Sequence, residues 1–133
     1  MTDQTLSGIE TVRRFYALMG EDRFEEAEVY LSDAVMVRES RDLPFGGDYH
    51  GLAGNAELVG KMLSAFELAI RKADFFDAGP VVAARLRACF TPRAGGDPVE
   101  LDIVELLKVE GGKIVDIDIY HKTPSVVAAM WPG

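Results

Sequence analysis

The chain has 133 residues, of which 48% are hydrophobic, and its 22 acidic and 14 basic side chains give a formal charge of −8. This length and composition predict a single domain with a real core over residues 1–133 and exclude a disordered chain. The negative charge argues against binding to nucleic acid or to an anionic membrane, because the attraction to phosphate groups is Coulombic.

Two amphipathic helices are predicted at the start of the chain. Ser7 and Glu10 have the spacing of a capping box, and apolar residues then recur at helical spacing as far as Gly20. Asp22 and Glu25 repeat the capping signal before a second, shorter helix. The chain is therefore expected to begin with a helical hairpin.

The segment after the hairpin changes its period. Residues 34–39 alternate in a way that predicts a strand, and DYHG, residues 48–51, predicts a short returning strand after the Gly46-Gly47 reversal. Asn55 is a suitable cap for a third helix. The apolar stripe of that helix contains Leu58, Val59, Met62, Leu63, Phe66 and Ala69.

Strand composition dominates from residue 70 to residue 122. The breaks are Gly79-Pro80, residues 91–98 and Gly111-Gly112, and such short connections predict antiparallel neighbours. The order of elements predicts an α+β domain with helices on one face of a curved sheet. The apolar tail, residues 123–133, is expected to fold onto the domain or onto a partner.

Three titratable residues stand on faces of strands that are otherwise apolar. Because side chains alternate along a strand, Glu39, Glu105 and His121 each share a face with hydrophobic residues. A carboxyl group in an apolar concavity loses hydration, so its pKa rises towards the range needed for proton transfer at neutral pH. The face-sharing residues are Val35 and Val37 for Glu39, Ile103 and Leu107 for Glu105, and Val115, Ile117 and Ile119 for His121.

A purely structural explanation stays open at this point for each of the three groups. Glu105 could form an ion pair with Arg85 or Arg87 on a neighbouring strand. Glu39 and His121 stand near strand ends, where a side chain can turn outward to solvent. Convergence of all three in one cavity would favour function over these alternatives.

The sequence also gives expectations about cofactors and location. Glu39, His50, Glu105 and His121 lack the short spacings of a metal site, so neither a metal nor another cofactor is expected. Cys89 is the single cysteine and lies in an apolar run, which predicts a buried thiol. The sequence has no signal-peptide pattern and no apolar run near the ~20 residues of a membrane span, so the cytoplasm is expected.

Three stretches of the chain resemble the nuclear-transport-factor-2-like superfamily, and within it the SnoaL-like and ketosteroid-isomerase-like proteins. They are the helical hairpin at 11–35, the turn LPFGGDYHG at 43–51, and the ending VEGGKIVDIDIYH at 109–121. The resemblance implies a cone-shaped domain: a curved antiparallel or mixed sheet wraps around an apolar cavity and three N-terminal helices close it. It also implies a homodimer formed through the outer face of the sheet.

The resemblance further implies roles for individual residues. In the isomerases of this superfamily a carboxylate base ends the first strand, where this chain has Glu39, and a protonated second acid stands on a later strand, where it has Glu105. The position of the oxyanion tyrosine holds Phe15, and Tyr16 stands beside it. Both acids are glutamates here, so SnoaL-type aldol cyclisation, dehydration and epoxide opening are open beside isomerisation.

These observations predict an acid–base enzyme acting on a small, largely apolar molecule, with Glu39 as base, Glu105 or His121 as acid, and Tyr16 in the catalytic set. The alternatives are a ligand-binding or accessory protein that uses the same cavity, and an interaction module that uses the sheet face and the tail residues Val126, Val127, Met130 and Trp131. Residues 39–51 are expected to form one edge of the cavity mouth. The predicted substrate-binding residues are Phe15, Val37, Leu43, Phe45, Tyr49, His50, Met62, Phe66, Ile103 and Ile119.

Overall fold

The computed structural model describes residues 6–132 and contains a six-stranded mixed sheet with helices packed against it, which confirms the predicted α+β class. None of the helices in this range has the length and apolarity that crossing a membrane requires. In chain order the elements are α1 (Gly8–Gly20), α2 (Phe24–Ala27), a 3-10 turn (Glu28–Tyr30), β1 (Leu31–Glu39), β2 (Gly47–His50), α3 (Gly51–Ala65), β3 (Phe66–Ala78), β4 (Val81–Pro92), β5 (Val99–Glu110), β6 (Lys113–His121) and α4 (Pro124–Met130).

The sheet is open and curved, with strand order β2-β1-β6-β5-β4-β3. Neighbouring strands are antiparallel except β1 and β6, which run parallel. Arg71 on β3 and Val115 on β6 are extra residues at register shifts, and such bulges bend a strand and increase its twist. The bend lets the sheet wrap around α1 and α3, which contact its strands from one side.

The bulge on β6 corrects the predicted face of that strand. Ile114 is completely buried, whereas Val115 is only partly buried. Beyond the bulge, Ile117, Ile119 and His121 share the concave face as predicted. The prediction that Val115 shares the face of His121 is therefore wrong, because one inserted residue reverses the alternation on either side of it.

Helix starts agree with the sequence prediction at only one of three places. The Ser7 hydroxyl accepts a backbone N–H of the first turn of α1 at 3.2 Å, as predicted. Asp22 instead has a left-handed backbone (φ 60°), and α2 begins after Arg23 without a side-chain cap. α3 begins at Gly51, so Asn55 lies inside the helix and does not cap it.

The C-terminal tail packs onto the core of its own chain. Val127 in α4 is completely buried. The ring of Trp131 lies 4.9 Å from the ring of Phe45 and 6.0 Å from that of Phe66, measured between centroids. The hypothesis that the tail buries its apolar residues against another chain is therefore wrong for Val127, which is a core residue of its own domain, whereas Trp131 is partly buried and packs against that core.

The close packing of α3 on β2 depends on Gly54. A Cβ atom at this position would lie 2.8 Å from the carbonyl carbon of Tyr49, a distance that real Cβ contacts do not reach. The hydroxyl of Tyr49 in turn donates to the carbonyl oxygen of Phe45 at 2.7 Å. The absence of a side chain at Gly54 thus allows α3 to approach β2 this closely.

We predict that Gly54→Ala destabilises the protein by about 1–3 kcal/mol, because the added methyl group meets backbone atoms and forces α3 away from β2. The matched control is Gly60→Ala in the same helix, where a Cβ would meet no atom within 4 Å. That change should stabilise the helix by up to about 1 kcal/mol. Urea unfolding of both variants tests this, and equal effects would contradict the close approach.

Candidate active site

An apolar cavity of about 180 Å³ lies between the concave face of the sheet and the helices α1 and α3. Most of its wall consists of aliphatic and aromatic side chains contributed by every major element around it. A charged group facing such a wall loses hydration, so its ionisation is disfavoured unless a partner compensates. The polar side chains that line the cavity are Tyr16, Glu39, Asn55, Glu105 and His121.

Glu39 ends β1 facing inward and lies against His121 of the adjacent strand β6. Its Oε1 atom is 2.9 Å from Nε2 of His121, and the two side chains are only 4% and 3% exposed. The same Oε1 atom accepts the backbone N–H of Ser40 at 3.2 Å. Both residues face the concave side of the sheet, as predicted, and neither turns outward to solvent.

The unused ring nitrogen of His121 indicates where its proton resides. Nδ1 is buried and has no hydrogen-bond partner among residues 6–132. A buried N–H without an acceptor is costly, so the proton of the neutral ring belongs on Nε2, where it donates to Glu39. Glu39 thus accepts hydrogen bonds at Oε1, while its Oε2 atom has no partner within the described residues and is left to a molecule in the cavity.

Glu105 stands at the middle of β5 and is hydrogen-bonded by Tyr16. The Tyr16 hydroxyl, on α1, donates to Oε1 of Glu105. Burial and the nearby carboxyl group raise the pKa of Tyr16 well above its ordinary value, so this hydroxyl keeps its proton. Phe15, the neighbour of Tyr16 on α1, also lines the cavity.

The pKa of Glu105 is raised to about 7. Burial is the main cause and the charge of Glu39 adds to it, while the hydrogen bond from Tyr16 and the neighbouring His121 act in the opposite direction. Glu105 is therefore divided between its acid and its carboxylate form near neutral pH. A carboxyl group in this state can donate and accept a proton under the same conditions.

Strand order explains why the two carboxyl groups meet. β6 lies between β1 and β5, so Glu39 and Glu105 face the cavity from either side of His121. Ile103 is the register partner of His121, and Glu105 is one inward-facing position further along β5. Glu105 and His121 are therefore diagonal neighbours across the two strands, a relation that places side chains roughly 7 Å apart on the same face.

The arginines that could have neutralised Glu105 are engaged elsewhere. Arg85 pairs with Asp74 at 3.3 Å, and Arg87 pairs with Asp102 at 3.1 Å. Both pairs are on the outer, solvated face of the sheet. The structural explanation of Glu105 as half of an arginine ion pair is therefore wrong.

Half of the predicted substrate-binding residues line the cavity, namely Phe15, Val37, Met62, Ile103 and Ile119. The other half do not: Leu43, Phe45, Tyr49 and Phe66 are buried in the core, and His50 is exposed. The loop after β1 turns away from the cavity and packs towards Trp131 through Phe45. The segment 39–51 therefore does not form the predicted cavity edge, except at Glu39.

Sequence reasoning missed several cavity residues, of which Asn55 is the only polar one. Asn55 precedes Leu58, Val59, Met62 and Leu63 by helical steps, so extending that stripe by one turn would have placed it on the same wall. On β4, the alternation of side chains could likewise have placed Leu86, Ala88 and Phe90 on the cavity face. The other missed residues are Met19, Phe24, Leu58, Val59, Leu63, Leu68, Ala69, Ile70, Leu86, Ala88, Phe90 and Ile117.

Within residues 6–132 no group of three or more histidine, cysteine, aspartate or glutamate side chains is arranged to hold a metal ion. His50 is one of the four candidate metal ligands in the sequence. It is exposed and does not line the cavity that contains the other three, Glu39, Glu105 and His121. The chemistry that the described residues can supply is proton transfer, through two carboxyl groups, a phenol and an imidazole.

A protein-family model described as a SnoaL-like domain matches residues 12–117. No curated protein matches the chain. Among solved structures, the chain is similar to a protein of unknown function with a cystatin-like fold from Xanthomonas campestris. The two share 22% identity with a TM-score of 0.84, over 96% of this chain and 100% of that one.

Two further structures extend the likeness. One is an NTF2-like protein of unknown function from Burkholderia pseudomallei, with 18% identity and a TM-score of 0.81 over 92% of this chain and 96% of that one. The other, from Mesorhizobium loti, is provisionally named a SnoaL-like polyketide cyclase, with 24% identity and a TM-score of 0.70 over 86% and 99%. At these identities the likeness to solved structures shows the fold alone, and the family match over residues 12–117 agrees with the SnoaL-like resemblance of the sequence.

We predict that Glu105 makes stability depend on pH between its ordinary pKa of 4.5 and its raised pKa of about 7. In this window the folded state holds a proton that the unfolded state has released, so the free energy of unfolding falls as pH rises. The rise in the pKa of Glu105 corresponds to about 3 kcal/mol of unfolding free energy. The side chain of Glu105→Gln cannot ionise. Between pH 5 and pH 8 the free energy of unfolding of this variant, measured with urea, should therefore fall less than that of the wild type by about this amount.

The matched control for that experiment is Glu100→Gln, on the same strand but on its exposed face, where Arg71 is the nearest cation at 3.8 Å. This variant should follow the wild-type curve. If Glu105→Gln also follows it, the Glu105 carboxyl is not held in a dry environment.

Proposed function

Because the chain belongs to the SnoaL-like domain family, we propose that it is an acid–base enzyme acting on a small, largely apolar molecule bound in the cavity. Glu39 serves as the base and Glu105 as the acid. Tyr16 and His121 hold these two carboxyl groups in place by one hydrogen bond each. The reaction classes that fit are isomerisation, aldol cyclisation, dehydration and epoxide opening.

A carbonyl substrate illustrates the chemistry. The free oxygen of Glu39 removes a proton from the carbon next to the carbonyl group, and the electron pair of that C–H bond forms the C=C bond of an enol. Glu105 in its acid form gives its proton to the carbonyl oxygen. In isomerisation, a conjugated enol takes the proton back from Glu39 at another carbon while its hydroxyl group returns a proton to Glu105. In aldol cyclisation, the enol carbon attacks a second carbonyl carbon, the enol hydroxyl returns its proton to Glu105, and the oxygen of the second carbonyl takes the proton from Glu39.

The observation that carries this proposal is the pKa of about 7 at Glu105, in the same apolar cavity as a second carboxyl group. A general acid is most useful when its pKa lies near the working pH. Perturbed titratable groups in a cavity are also a common mark of a catalytic site, although structural pairs share it. The combination of an acid form and a base within one small cavity supports catalysis over packing.

A non-catalytic ligand-binding protein is the second candidate, and one observation favours it. Each carboxyl group already has a protein partner, Tyr16 for Glu105 and His121 for Glu39. A satisfied pair of this kind can persist as part of a polar cavity wall that only binds. The two candidates differ in whether Glu39 is needed for a reaction or only for the shape of the site.

We predict that the wild-type protein exchanges the acidic C–H protons of small cyclic ketones with heavy water faster than buffer does. Cyclohexanone and cyclohexenone are suitable probes, and loss of the proton signal in NMR measures the rate. Glu39→Gln keeps the size of the side chain but removes the base, so the rate above buffer should fall by about 100-fold or more. Glu110→Gln, with a side chain that is 61% exposed, should retain the wild-type rate.

The same experiment separates the two candidates. Binding of both ketones without any exchange above buffer would favour the ligand-binding protein. Exchange that survives in Glu39→Gln would show that another group is the base and would remove Glu39 from the proposed mechanism.

We also propose that the protein forms a homodimer through the outer face of the sheet. Val104 on β5 and Tyr120 on β6 are register partners on that face and are 36% and 52% exposed. Phe76 on β3 adds a third large apolar side chain, 47% exposed. Adjacent apolar side chains in the middle of an otherwise charged face are typical of a contact between copies related by a two-fold axis.

For the dimer we predict that light scattering gives twice the mass of one chain for the wild type and a single-chain mass for Val104→Asp, since a two-fold contact places each introduced charge near its copy. Val29→Asp is the control: Val29 is 57% exposed on the 3-10 turn, outside the sheet. A wild-type monomer, or an unchanged mass for Val104→Asp, would contradict this interface.

A further inference from the structure

Asn55 is a buried polar residue for which the proposed reaction has no use. Its side chain lies on the cavity wall formed by α3 and is 9% exposed. Among residues 6–132 no hydrogen bond to its side-chain amide is found, whereas Glu39 and Glu105 each have a partner. The amide therefore meets the cavity with both its donor and its acceptor free.

The amide of Asn55 is open to the cavity and not sealed in the protein, because His121 Nδ1 is the only buried side-chain nitrogen or oxygen atom without a partner among residues 6–132; a ligand group can therefore pair with it. A buried polar group without a partner destabilises the folded state relative to one that is paired. The other residues that α3 contributes to this wall are leucine, valine and methionine. Asparagine is a weaker helix former than leucine and methionine and no better than valine. A leucine would fill the same space without either penalty, so the amide fits a wall built to bind a polar atom.

The volume of the cavity limits what this polar atom can belong to. An engineered protein cavity of about 150 Å³ binds benzene. The cavity described here, at about 180 Å³, is only slightly larger. It accommodates one six-membered ring with small substituents, whereas a fused four-ring molecule is larger than this volume.

We propose that the ligand is a one-ring molecule with two oxygen substituents, one bound by Glu105, which Tyr16 holds in place, and the other by Asn55. This inference rests on the proposed function for the first oxygen and adds the second contact and the size limit. Asn55 is then a specificity-determining residue. Its NH2 group donates to a carbonyl or hydroxyl oxygen, and its carbonyl oxygen accepts from a hydroxyl group.

The two contacts come from different walls of the cavity. Asn55 projects from α3, whereas Glu105 projects from β5 and Tyr16 from α1. A ring held between them has its apolar faces against aliphatic side chains and its oxygens at polar groups. Sites that hydrogen-bond a substrate oxygen discriminate strongly against an analogue that lacks it, because their own polar group is then left unpaired.

The test compares phenol, which has one oxygen, with the three dihydroxybenzenes catechol, resorcinol and hydroquinone, which place a second oxygen at every ring position. NMR titration of the wild type should show at least one dihydroxybenzene binding about 3- to 10-fold more tightly than phenol, the effect expected of one added hydrogen bond. The side-chain amide signal of Asn55 should move with that ligand and less with phenol.

Asn55→Leu should abolish the preference, retain the affinity for phenol and raise the unfolding temperature of the ligand-free protein. Gly60→Ala, on the exposed side of the same helix, should keep the preference. If Asn55→Leu lowers the unfolding temperature and keeps the preference, Asn55 is a structural residue. The proposal also fails if phenol does not bind, or if no dihydroxybenzene exceeds phenol and moves the Asn55 amide signal.

No part of this test requires turnover, so it can succeed for a protein that only binds. Conversely, proton exchange that depends on Glu39 can occur in a protein whose Asn55 contributes nothing to binding. The two proposals can therefore fail independently of each other.

Discussion

Burial of an ionisable side chain on the concave face of the sheet is the constraint on which the rest of the site depends. Glu105 lies between the buried residues Ile103 and Leu107 on the inward side of β5, where it is itself partly buried and lines the cavity. Its desolvation is what raises its pKa towards neutrality. The helices α1 and α3 matter to the chemistry because they close the cavity and maintain this desolvation.

The two carboxyl groups are tolerated there because each has one hydrogen-bonding neighbour. Tyr16 donates to Glu105 from a helix, and His121 donates to Glu39 from an adjacent strand, so the pairs are held by different elements. In each pair one carboxyl oxygen is engaged and the other is open to the cavity. The cost of burying the groups is thus reduced without removing their capacity to act on a bound molecule, and Asn55 adds a polar group to the cavity wall from α3.

Strand parity predicted the inward direction of Glu39, Glu105 and His121, because alternation is a local property of a strand. Such local rules failed where long-range packing or an inserted residue determined the structure. The bulge at Val115 reversed the alternation without a sequence signal. Asn55 has the residue type of a cap, but α3 begins a turn earlier, where β2 ends. The loop carrying Phe45 turned into the core because Trp131, distant in sequence, packs on it.

Glu105 ionises near neutral pH because burial in an apolar cavity disfavours its charged form. A carbon-detected NMR titration of the glutamate carboxyl signals, with Glu105 assigned by its absence in Glu105→Gln, measures this directly. We expect a midpoint near 7 for Glu105, well above its ordinary pKa of 4.5. A midpoint near 4.5 would contradict the raised pKa and with it the assignment of Glu105 as a proton donor.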